Sequence, residues 1–86
     1  MATRTALAYE EVVDFIAAGP KPGKIIAFKP SVTTKERVAD LIYREKAAGL
    51  TSDERSELEH YLQLEHLMRL TKARARRYTA NEQLRQ

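Results

Sequence analysis

Apolar positions repeat most regularly over residues 51–78, TSDERSELEHYLQLEHLMRLTKARARRY, at a spacing that predicts one long helix. At about 100° per residue, Tyr61, Leu64, Leu67 and Met68 form one apolar sector, and Leu58 and Leu62 extend it around the axis. Glu59, Gln63 and His66 keep only a narrow polar strip. A core-facing helix usually shows a stripe of a little over about 100°, so this surface is wider than one packing contact needs. Thr51 and Glu54 have the spacing of a capping box, each side chain serving an orphan amide of the first turn. No Pro or Gly follows as far as Gln86, and Thr79 to Asn81 mark the expected fraying end. Such a helix is about 40 Å long, whereas a compact chain of this length has a radius of gyration of about 12 Å. An elongated molecule or an oligomer follows.

The remaining pattern is shorter in range. Tyr9, Val12, Val13 and Ile16 share a face opposite Glu10, Glu11 and Asp14, which predicts an amphipathic helix over 7–18 that Gly19 and Pro20 stop. GPKPG reads as a turn-rich connector. Ile25, Ile26, Ala27 and Phe28 form a short β-prone run ended by Pro30. Nothing else in the chain can pair with a strand of that kind. It either lies extended on the helices, or adds to the same segment of a second copy or to a partner's sheet edge. Ser31 or Thr33 caps the next helix, with Glu36 completing a box from Thr33, and Val38, Leu41 and Ile42 face the core until Gly49 closes it. Only Leu50 then precedes the Thr51 cap, so this helix and the long one make a helical hairpin. The expected fold is all-α: a single domain over 1–86 of three helices, one of them long and C-terminal, plus an extended segment at 25–28.

Charge divides the long helix lengthwise. Up to His66, Arg55 stands against Asp53, Glu54, Glu57, Glu59 and Glu65; beyond it, Arg69, Lys72, Arg74, Arg76, Arg77 and Arg85 oppose only Glu82. This order complements the helix dipole and lets two such helices pair antiparallel, acidic half against basic half. The formal net charge of +3 over 86 residues is too small by itself to imply nucleic acid. Cysteine is absent, which removes disulfides and thiolate sites and fits a reducing compartment. No signal-like segment opens the chain and no apolar run approaches the about 18 residues of a membrane span. A cytoplasmic location is expected.

Candidate chemistry reduces to binding. His60 and His66 sit six positions apart and point about 120° away from each other around the helix, while Glu59 and His66 align but are separated by about 10 Å. Neither pair can share a metal ion. GPKPGK lacks the Ser or Thr that completes a phosphate loop after Lys24. AAGLT could form the turn of a helix-turn-helix, yet Ser52, Asp53, Glu54 and Glu57 would then face a phosphate backbone. KARARR is the better nucleic-acid candidate, with Arg69, Lys72 and Arg76 on one side and Arg74 and Arg77 across the axis. No catalytic constellation and no cofactor site is present, so the chain reads as non-enzymatic.

FKPS at 28–31, ERVADLI at 36–42, GLTSDERSELE at 49–59 and LEHLMRLTKARAR at 64–76 together resemble a family of small bacterial antitoxin-like proteins. Its members read FxPS, then GL with Thr or Ser, then LEHLMRLxKARAR. The similarity spans residues 25–77, and its last motif is the most specific. It implies a gene beside one for a small toxin or nuclease, and it carries no catalytic residues. The chain is therefore expected to be a homodimer and an interaction protein that meets a second chain through Tyr61, Leu64, Leu67 and Met68, with Ile25, Ile26 and Phe28 as a further contact. The alternatives are a DNA-binding regulator using Arg69, Lys72, Arg74, Arg76 and Arg77, or a homodimer with a purely structural role.

Overall fold

Four helices follow one another in the computed structural model, which describes residues 7–84: α1 (Glu10–Ala17), α2 (Pro22–Ala27), α3 (Val32–Ala47) and α4 (Ser52–Leu84). The all-α class and the long C-terminal helix stand as expected, and Gly19 and Gly49, both with positive φ, end α1 and α3. The capping box at the start of α4 is formed in both directions. The Thr51 N–H donates to Glu54 Oε1 and the Glu54 N–H to Thr51 Oγ1, each at 3.1 Å. At the start of α3 the cap is Ser31, whose Oγ accepts from the Thr34 N–H at 3.2 Å. Glu11 of α1 adds its carboxylate there, taking the Ser31 N–H at 2.7 Å, a favourable charge at a helix N-terminus.

Two expectations are corrected. Residues 25–28 are not a strand: Ile25, Ile26 and Ala27 belong to α2, and only Phe28 is extended. Pro22 occupies the first helical turn, where its fixed φ suits a helix and its missing N–H costs nothing. With no strand to pair among the described residues, a β-prone run gains more by closing i to i−4 bonds and packing on α4, which α2 does along its length. Nor does α4 fray at Thr79 to Asn81; it continues to Leu84. Thr71 and Thr79 satisfy their hydroxyls on the helix's own carbonyls, of Leu67 at 2.8 Å and Arg76 at 3.0 Å. Arg85 lies outside the described residues.

One core joins the elements. Ala8 and Val12 from the first segment, Val38 and Leu41 from α3, and Leu58, Tyr61 and Met68 from α4 form it, with Phe15, Ile25, Phe28 and Leu64 packed around them. The Phe15 and Phe28 rings stack at 4.4 Å between centroids, holding α1 to the end of α2. Lys72 donates to the Phe28 carbonyl at 2.6 Å and fixes that same point to α4. The molecule measures 55 × 33 × 19 Å with a radius of gyration of 15.9 Å, well above the about 12 Å of a compact chain. It is elongated because α4 is longer than the three elements packed on it.

The decisive polar contact is buried. Glu57, 3% exposed, accepts from Arg37 Nε at 3.0 Å, from Arg37 Nη2 at 2.8 Å and from the Ala8 N–H at 2.8 Å. It thus joins α4 to α3 and to the approach of α1. The Arg37 hydrogen bonds, aided by the Ala8 amide against the cost of burial, hold the Glu57 carboxyl below its ordinary range. Removing one partner of a buried pair strands the other. Arg37→Ala and Glu57→Gln should therefore each cost about 1–3 kcal/mol, read as shifted urea midpoints with unchanged slope. A lowered folded-state pKa means that this stabilisation is fully present above about pH 4.3. It is lost as pH falls through the folded-state value, so Glu57→Gln should show a shallower acid loss than the wild type.

Candidate functional site

The surface of α4 divides into three strips by what covers each. Tyr61 and Met68, 3% and 5% exposed, lie under α1 and α2 of the same chain. Leu64 is half-buried at the edge of that core, and Leu67 is 49% exposed. The four residues expected to meet a second chain are therefore split: two belong to this chain's own interior, because α2 forms and covers them. Burial, with the nearby Glu65 and Glu11 carboxylates, raises the Tyr61 hydroxyl pKa. Ile25, Ile26 and Phe28 are each half-buried, with Ile25 and Phe28 packed on the core.

Between α1 and α4 runs a shallow groove of about 390 Å³ lined by Tyr9, Val13, His60, Gln63, Leu64 and Leu67. Its walls come from the amphipathic pattern of α1, which turns Val12 inward and leaves Val13 43% exposed. Tyr9 and His60 meet with tilted rings, 5.3 Å between centroids. Ile16, exposed on α1 beyond Val13, continues the apolar character of that helix face. A second hollow of about 260 Å³ lies on the other flank, with Val12, Phe28, Tyr61 and Met68 as its apolar wall and Glu65, Arg69 and Lys72 at its rim. There the charges are already matched, Arg69 to Glu65 at 3.0 Å and Lys72 to the Phe28 carbonyl.

The basic end is likewise divided. Arg69 pairs with Glu65 on the surface and Lys72 bonds the Phe28 carbonyl, whereas Arg74, Arg76 and Arg77 are exposed with no ion pair among the described residues. Arg74 and Arg77 share a surface depression of about 210 Å³ with Tyr78 and Asn81. Among the described residues no group of three or more His, Asp or Glu is placed to hold a metal ion. His66 lies 3.5 Å from Arg69, and His60 meets the Tyr9 ring. No described helix is long and apolar enough to cross a membrane.

Sequence periodicity did not single out Val13 as a docking residue or Glu57 as a buried one. Val12 and Val13 were expected to share one face, but α1 buries Val12 and leaves Val13 exposed. No protein family, curated protein or solved structure matches the chain.

Proposed function

We propose that the chain is a non-enzymatic, cytoplasmic interaction protein of the antitoxin-like kind, and that it holds a protein partner on the groove between α1 and α4. The observation that carries this reading is the exposed apolar pair Val13 and Leu67, which line that groove together with Leu64. Apolar anchors on adjacent helices, rimmed by Gln63 and His60, suit an amphipathic segment laid between them. The resemblance of residues 25–77 supplies the partner class, a small toxin or nuclease encoded beside this chain. Titration calorimetry with that neighbouring gene product should give a stoichiometric complex with a dissociation constant below about 1 µM. Val13→Asp should weaken it by about tenfold or more while leaving the helical signal unchanged, since Val13 is 43% exposed. No heat change with wild type, or equal affinity for Val13→Asp, would remove the reading.

The second reading is a DNA-binding regulator, favoured by Arg74 and Arg77 beside the Tyr78 ring. With Arg76 these are three exposed arginines with no ion pair among the described residues, so duplex binding should fall with salt at a logarithmic slope of about −3. A flat salt series, or no binding at low salt, excludes it.

A further inference from the structure

We propose that the face of α4 turned away from the core is a self-association surface, on which two copies pair antiparallel about a two-fold axis beside Leu67. The proposal rests on which side chains the fold leaves unused. Glu54, Glu57 and Glu65 are committed to Arg44, Arg37 and Arg69, and Arg55 lies near Glu45. Glu59, Arg74 and Arg77 make no ion pair among the described residues and are exposed. At about 100° per residue these three fall on one side of the helix with Gln63, Leu67 and Leu70. Leu70 is 58% exposed there, opposite the side that buries Tyr61 and Met68.

This strip is complementary to itself. Along the axis Glu59 lies about 12 Å before Leu67 and Arg74 about 10 Å after it. A two-fold axis beside Leu67 therefore sets Glu59 of each copy against Arg74 of the other and brings the two Leu67 side chains together. Leu70 then faces Gln63 of the second copy, and Arg77 faces Ser56. An isologous contact needs a surface that matches its own rotated image, and the order acid, apolar, base satisfies that condition. Nucleic acid on Arg74 and Arg77 would have no use for Leu67 and Leu70 and would be repelled by Glu59. A second copy uses all of them.

The pairing shares only Leu67 and Gln63 with the groove between α1 and α4, and Leu70 and Val13 test the two surfaces separately. Sedimentation of the full chain at about 100 µM should give twice the 9.8 kDa chain mass. Leu70→Asp should return it to the single-chain mass. Glu59→Arg and Arg74→Glu, made separately, should each raise the dissociation constant by about tenfold or more, because like charges then oppose each other twice. Mixing these two variants should restore the dimer, since each then supplies the sign that the other lacks. Circular dichroism confirms that every variant is folded. A wild type of single-chain mass, a charge variant that pairs as tightly as the wild type, or a mixture that remains monomeric would overturn the proposal.

Discussion

Everything in this fold depends on a carboxylate that water does not reach. Glu57 takes both ends of the Arg37 guanidinium fork and the amide of Ala8, so α3, α4 and the entry to α1 are set by one side chain. α1 has eight residues, too few to persist alone in water. Its position comes from docking Ala8 and Val12 into the core, and the Ala8 N–H could not be buried without an acceptor. Nearer the turn of the hairpin, Glu54 caps α4 and also takes Arg44 at 2.6 Å. Arg37 and Arg44, two turns apart on α3, are thus matched to Glu57 and Glu54, one turn apart on α4. These two ion pairs tie α3 to the start of α4.

The same arrangement decides what α4 shows to the outside. Read as a list, its first half is acidic and its second half basic. In the fold, most of the acid turns inward or sideways to arginines of the chain, and Arg69 and Lys72 of the basic half are engaged as well. On the side away from the core the order is Glu59, then Leu67 and Leu70, then Arg74 and Arg77. The surplus apolar surface of the helix is real but divided. One part is covered by α1 and α2, one lines the groove beside Val13, and one faces away from the core altogether.

Much of this architecture was legible in the residues. The spacing of Val38 and Leu41, the Thr51–Glu54 box and the glycines at 19 and 49 pointed to α1, α3 and the start of α4, though not to its C-terminal end. α2 was not legible, because Ile25 and Ile26 favour strands locally and only packing against α4 makes them helical. Tyr61 and Met68 were recognisable as contact residues, yet periodicity says that a position is covered, not by which chain. Glu57 left a trace that charge counting hides. It stands four residues before Tyr61 and eleven before Met68, on the face that the core covers. Arg37, four residues before Leu41, stands on the matching face of α3.

The direct test of this account is the titration of Glu57 itself, followed by NMR at its side-chain carboxyl carbon together with the Ala8 amide proton. A carboxyl buried against Arg37 should titrate below the about 4.3 of a free glutamate, and the Ala8 amide should move with the same midpoint. A Glu57 that titrates as an ordinary surface carboxylate, with an Ala8 amide that does not respond, would contradict it.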